Sequence, residues 1–253
     1  MSKKYTDEQI REQVTNFYDN IATGKTSTEV SSIDLYNSLG YDPDLLKKIP
    51  EEVSSGLSCG NPLDNLVLKD TDTLLDLGCG MGLDVFMARI TYPNSNTIYG
   101  MDRLESMIQK ASKVRDKKGF KNIEFVQGEL IDMPFEDNSI DKIISNCVIN
   151  LEPNKQKVYE EIHRILKPNG MFIISDITLK KQLNDDILSL DNIYGSWVGG
   201  ALLEEDVKEI IKKAGFTNFF AKSEEVTDPY AKKWGYGLKI KEFIQETMFI
   251  GNK

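Results

Sequence analysis

Histidine, cysteine and tryptophan are scarce in this chain: one, three and two respectively among 253 residues. The lone His163 stands beside Arg164 in an expected helix and reads as a surface or cap residue rather than a general base. No metal-ligand spacing, nucleophile–His–acid set or Gly-Lys-Ser/Thr phosphate loop occurs. Cys59, Cys79 and Cys147 are few and unevenly spaced, which predicts reduced thiols in a cytoplasmic protein, not a disulfide framework. Positive charge is also short: 31 Lys and Arg face 40 Asp and Glu, for a net charge of −9. Without a basic stripe, neither a nucleic-acid backbone nor an anionic membrane surface is an expected partner. No apolar run approaches the roughly 20 residues of a membrane span. The start, Met1 to Glu8, lacks the apolar core of a signal peptide.

What is present centres on Asp76-Leu77-Gly78-Cys79-Gly80-Met81-Gly82. It follows the apolar run Thr73-Leu74-Leu75 and precedes a helical pattern that opens at Leu83. Strand, glycine turn and helix bring backbone N–H groups close to a ligand. Asp102 ends the next apolar run, about twenty residues past Gly82, where a strand-end carboxylate can accept hydrogen bonds from ribose hydroxyls. A dinucleotide fold requires Gly-x-Gly-x-x-Gly, yet Leu83 holds the place of the last glycine. Asp76 suits an amino group better than a pyrophosphate. The pattern Asp-x-Gly-x-Gly-x-Gly resembles the first motif of class I S-adenosylmethionine-dependent methyltransferases, which implies S-adenosyl-L-methionine as cofactor.

Along the chain, residues 6–23 carry a helical stripe of Ile10, Val14, Phe17 and Ile21, with Thr6 and Gln9 as a capping box. Gly24 to Ser38 has no clear period and reads as loop. Asp42-Pro43 opens a short helix. From Thr73 onward strands at 73–77, 97–101, 123–127, 141–146 and 171–176 alternate with helices at 83–91, 105–117, 154–166 and 203–214. Lys167 to Gly170 is an expected turn, and strands near 217–222 and 244–251 close the sheet. The expected fold is therefore α/β: a Rossmann-like, mostly parallel seven-stranded sheet with helices on both faces. Residues 1–68 form a helical N-terminal cover and loop, and 69–253 the methyltransferase domain. Insertions near 180–200 and 223–240 are placed to shape the substrate pocket.

Further candidates cluster at strand ends. Arg103 adjoins Asp102, while Gly128, Glu129 and Leu130 follow the third strand, where adenine lies in the methyltransferase fold. Met107 suits either the cofactor site or the core. Asn146 and Cys147 end the fourth strand. On chemistry alone Cys147 is a buried small hydrophobe as readily as a reactive thiol. Cys79, inside the glycine loop, reads as a small filler.

Ser58-Cys59-Gly60-Asn61-Pro62, the glycine loop, Asn146-Cys147-Val148-Ile149-Asn150-Leu151, and Arg164 to Gly170 running through Ser175-Asp176 together resemble the arsenite methyltransferase family. The resemblance covers about residues 10 to 220. It implies a small-molecule substrate, trivalent arsenic methylated while held by thiolates, with Cys59 and Cys147 as the catalytic pair. A third family cysteine falls at Trp197, so the resemblance implies two thiolates, enough for a monomethylated arsenical. Alternatives are a carbon, oxygen or nitrogen acceptor, or a cofactor- or metalloid-binding protein without turnover.

Overall fold

The computed structural model describes residues 5–23, 25, 30–184, 187, 197–233 and 238–253. The chain opens with α1 (Asp7–Ala22), whose N-terminus carries the expected capping box: the Thr6 hydroxyl accepts from the Gln9 N–H, and Gln9 Oε1 accepts from the Thr6 N–H. Two short helices follow, α2 (Ser32–Ser38) and α3 (Pro43–Leu46). Helix α2 corrects the loop expected over Gly24 to Ser38. Only Leu35 and Tyr36 of this short segment are buried, too little apolar surface to set a readable period. Asp42 caps α3, with Pro43 in its first turn, as the sequence predicts.

Strands β1 (Leu74–Leu77), β2 (Ile98–Asp102), β3 (Ile123–Gln127), β4 (Ile140–Asn146), β5 (Leu166–Leu179), β6 (Asn218–Glu224) and β7 (Ile244–Asn252) form one sheet. Their order is β3-β2-β1-β4-β5-β7-β6, parallel except for β7, which runs antiparallel to both neighbours. Helices α4 (Leu83–Thr91), α5 (Glu105–Lys118), α6 (Lys155–Ile165) and α7 (Glu204–Lys213) cover its faces, and α8 (Asp228–Lys232) precedes β7. One core joins Leu74, Phe86 and Val114 with Tyr18 and Ala22 of α1. The other, on the opposite face, joins Leu75, Leu77, Val158, Ile162 and Ile211. Alternate residues of β1 thus feed both cores, as a doubly covered central strand requires.

The turn expected at Lys167–Gly170 lies inside β5. Ile140 pairs with Leu166 and Lys142 with Met171, so the extra residues bulge out of the ladder around Asn169, whose φ is +66°. The strand order reverses between β1 and β4, and loops leaving those two neighbours flank a crevice at the carboxyl edge. Most of the expected insertion at 180–200 lies outside the described residues, including 188–196; of the other, 234–237 does.

Candidate active site

The crevice is a cleft of about 1080 Å³ of empty space, open solvent included. It is lined by Asp76, Gly78, Cys79, Gly80, Asp102, Arg103, Met107, Gly128, Glu129, Leu130, Asn146 and Cys147. Helix α1 overhangs it through Val14, Thr15 and Tyr18, and Ser55, Leu57 and Ser58 close another side. Gly82 is not in the lining. It is the left-handed cap of α4, at φ +92°, and a Cβ there would press on the rings of Phe125 and Phe86. Gly80 differs: at φ +53° it has no protein atom within 4 Å of where its Cβ would stand. That space belongs to the cleft and leaves the main chain open to a bound group.

Three carboxylates ring this loop. Asp102 accepts hydrogen bonds from the N–H groups of Gly80 and Leu104, both at 2.9 Å. The Arg103 N–H also donates, so three donors leave one of the four lone pairs for a ligand hydroxyl. Burial raises its proton affinity, opposed by those N–H donors. Burial pushes Asp76 well above the ordinary carboxylate range, and the charges of Asp84 and Asp102 push it further. Asp84, in the first turn of α4, also lines the cleft and is pushed up by burial to about 6. It accepts from the Tyr41 hydroxyl at 2.8 Å and from Asn146 Nδ2 at 3.2 Å. Buried carboxylates gathered this way favour a cationic ligand, which would offset their mutual repulsion. A sulfonium cofactor carrying an ammonium group fits that demand, and the open face of Gly80 fits its bulk. Across the rim Arg103 and Glu129 form an ion pair at 3.0 Å.

Cys59 and Cys147, separated by 88 residues, are joined as a disulfide with Cα atoms 5.8 Å apart. This corrects the expectation of free thiols drawn from cysteine number and spacing; Cys79 alone is free, buried in the glycine loop. Burial raises the Cys79 thiol, with the Asp102 and Asp76 charges adding to it. Asn146 draws Cys59 toward Cys147. Its Oδ1 accepts from the Cys59 N–H at 3.1 Å, and its Nδ2 donates to the Gly60 carbonyl at 2.9 Å. The strand end holds Cys147, whose N–H donates to the Ser175 carbonyl at 2.8 Å. Cys147 lines the cleft, while Cys59 lines a second cavity with Gly60, Asp64 and Glu246. The cysteine pair is thus part of the wall between them.

Backbone conformation singles out the same place. Five described residues other than glycine have positive φ; three are asparagines, which tolerate it, and the others are Cys147 and Trp197. Both line the cleft. Such outliers concentrate where surrounding structure imposes a functional geometry. The Trp197 ring stacks on Tyr230, centroids 6.2 Å apart, and Lys233 Nζ stands 4.3 Å from its centre. His163 is remote from all this, its ring edge-on to Phe216.

A profile of the methyltransferase domain matches residues 68–215. The chain belongs to the methyltransferase domain family. Its fold agrees with the α/β expectation, and the family's methyl donor is S-adenosyl-L-methionine. Within this family the chain is 33% identical over 207 residues to an arsenite methyltransferase of Halobacterium salinarum, covering 81% of this chain and 53% of that protein. It is 32% identical over 228 residues to the arsenite methyltransferase of Rattus norvegicus, covering 83% of this chain and 60% of that protein. The chain therefore spans just over half the length of the curated relatives it matches. The crystal structure of an arsenic(III) S-adenosylmethionine methyltransferase from Chlamydomonas reinhardtii superposes with a TM-score of 0.64. The identity there is 26%, over 88% of this chain and 73% of that one.

Sequence reasoning for this methyltransferase missed Asp84, Tyr41 and Glu152. An acid in a helix's first turn is commonplace, so Asp84 carried no distinguishing signal. Asp176 ends the strand expected over 171–176, and nothing in its local pattern marks it as part of the site. It is buried, with Oδ2 accepting from the Asn150 N–H at 3.1 Å and Oδ1 from the Ile177 N–H at 2.8 Å. Burial pushes it up to about 7, against those donors and the charge of Lys155. No described helix is long and apolar enough to cross a membrane.

Proposed function

We propose that the chain transfers a methyl group from S-adenosyl-L-methionine to trivalent arsenic held by the thiolates of Cys59 and Cys147. The observation that carries this reading is the adjacency of those two sulfurs at the end of β4, one strand from the glycine loop. Soft sulfur suits a soft metalloid. The disulfide must first be opened by a thiol or phosphine reductant, which supplies two electrons; two protons complete the thiols. A reducing compartment such as the cytoplasm fits that need. Residues 1–68 then act as the cover and 69–253 as the transferase domain.

In this reading Asp102 accepts from the ribose hydroxyls, and Asp76 and Asp84 face the cationic end of the cofactor. Gly78, Cys79 and Gly80 give it a close backbone, and Met107, Arg103, Gly128, Glu129 and Leu130 line the base end. When bound, the cofactor supplies a methyl group on a positively charged sulfur. The cysteine pair orients the arsenic so that its lone pair points into the cleft, turning an encounter into a positioned reaction. Tyr18 and Trp197 wall the cleft against water.

The aromatic wall of Tyr18, Tyr36 and Trp197 favours a second reading, a small organic acceptor methylated on carbon, oxygen or nitrogen. Mass spectrometry of products separates the two, after incubating the reduced chain with methyl-labelled cofactor and either arsenite, methylarsenite or a metabolite extract. Labelled methylated arsenic supports the first reading. Label only in an organic product overturns it, and cofactor binding without any product leaves a binding protein.

A further inference from the structure

Trivalent arsenic makes three bonds, and two sulfurs satisfy two of them. Ligand atoms of Cys59, Cys147 and Asp176 all lie within 4.8 Å of one another, and all three residues are buried. A carboxylate oxygen therefore stands within reach of a group held by both sulfurs. The backbone holds it there. Asp176 follows Ser175, the last β5 residue paired with β4, and the N–H groups of Asn150 and Ile177 fix its two oxygens. With the Ile149 N–H as a third donor, the four lone pairs of the carboxylate leave one for a ligand. A buried carboxylate anchored by backbone donors cannot swing away at low cost, because those N–H groups would lose their partners.

We propose that Asp176 is the positioning residue that lets this two-cysteine site hold inorganic arsenite, by accepting a hydrogen bond from the remaining arsenic hydroxyl. The inference rests on the arsenic reading above. In the binding step each thiol displaces one hydroxyl: an As–S bond forms, an As–O bond breaks, and the thiol proton leaves with the hydroxide as water. Two such exchanges leave one As–OH, whose proton points to the carboxylate oxygen. An arsenical whose third bond is to carbon presents no such hydroxyl and makes no use of Asp176. The carboxylate thus sets which arsenicals the site accepts, in place of a third thiol.

The test measures binding without cofactor. The full chain, reduced with a phosphine, is equilibrated with arsenite or phenylarsenite, and bound arsenic is counted by mass spectrometry after dialysis. Asp176→Asn should lower arsenite affinity about tenfold or more and leave phenylarsenite within about twofold. Should the amide misfold, Asp176→Ser offers a smaller acceptor to the same N–H groups and is expected to show the same selectivity. Equal losses for both arsenicals, or no loss of arsenite, would overturn the proposal. Cys59→Ser and Cys147→Ser isolate the underlying reading: each should cut binding of phenylarsenite. If phenylarsenite binds equally well without either thiol, the thiolate site itself fails, whatever Asp176 does.

Discussion

At Gly80 the place of a side chain is left open by the protein itself. A Cβ there would meet no protein atom, whereas a Cβ at Gly78 would run into Val148 and one at Gly82 into Phe125. All three have positive φ, so alanine carries a backbone cost of about 1 kcal/mol or more at each. Gly78→Ala should also distort the loop and lower the melting temperature by several degrees. Gly80→Ala should cost only the backbone strain in the free chain, yet lose cofactor affinity, since the new methyl occupies the cleft. Calorimetric titration against thermal melts distinguishes the two. Asp102→Ala should weaken cofactor binding by about 1–3 kcal/mol through loss of charge-assisted hydrogen bonds. Unchanged affinity there would remove the ribose role. Cys79→Ser should alter arsenical binding little, because Cys79 stands apart from the paired sulfurs in the glycine loop.

At the scale of elements, two segments have to be brought to the sheet edge. Arg11 of α1 makes paired hydrogen bonds, at 2.9 and 2.6 Å, to the buried carboxylate of Glu152. This pair ties α1 across the cleft to the turn after β4, and Glu152 itself lines the cleft. Arg11→Ala leaves that buried carboxylate without its charged partner, the Asn154 N–H alone remaining on it, at a cost of roughly 1.5–3 kcal/mol. Hydrogen exchange should show faster amide exchange along α1, with cofactor affinity falling in parallel. The second segment carries Cys59. A side chain at Gly60 would overlap Ser175 Oγ and the Glu246 carboxylate, so only glycine lets this loop lie against β5 and β7. Gly60→Ala should lift Cys59 away from Cys147. Thiol titration under non-reducing conditions should then find three free thiols instead of one. If one is still found, the loop does not need that close approach.

For the molecule as a whole, the buried carboxyls of the cleft tie stability to pH, and on the proposed reading they tie cofactor affinity to it as well. Asp84 holds its proton up to about pH 6, against an ordinary value of 3.8. Because the folded value is the higher one, this group's contribution to stability is complete below about pH 4 and is lost as pH rises through 6. Asp76 and Asp102 are shifted in the same direction. Melts of the cofactor-free chain should therefore decline over this window. A bound cation favours the ionised carboxylates, so S-adenosylmethionine affinity should rise across the same window, with protons released on binding. Calorimetry in buffers of different ionisation enthalpy measures that release; a pH-independent affinity would separate these carboxylates from the cofactor.

The local part of this design was legible in the sequence. The apolar runs of the strands, the stripe and cap of α1, the glycine loop after β1 and the acid at the end of β2 each depend on residues within a turn or a strand of one another. Such patterns survive without knowledge of the fold. Cys147 was readable as a strand-end residue for the same reason. Tertiary structure decided what crosses long spans: the joining of Cys59 to Cys147, the approach of Asp176 to both, and the arrival of Asp84 beside Asp76. Pairing of β1 with β4 and β4 with β5 sets these distances, and no spacing along the chain encodes them. The bulge within β5 belongs there too. Its residues have the chemistry of a turn, and the pairs before and after it, Ile140 with Leu166 and Lys142 with Met171, keep them in the strand.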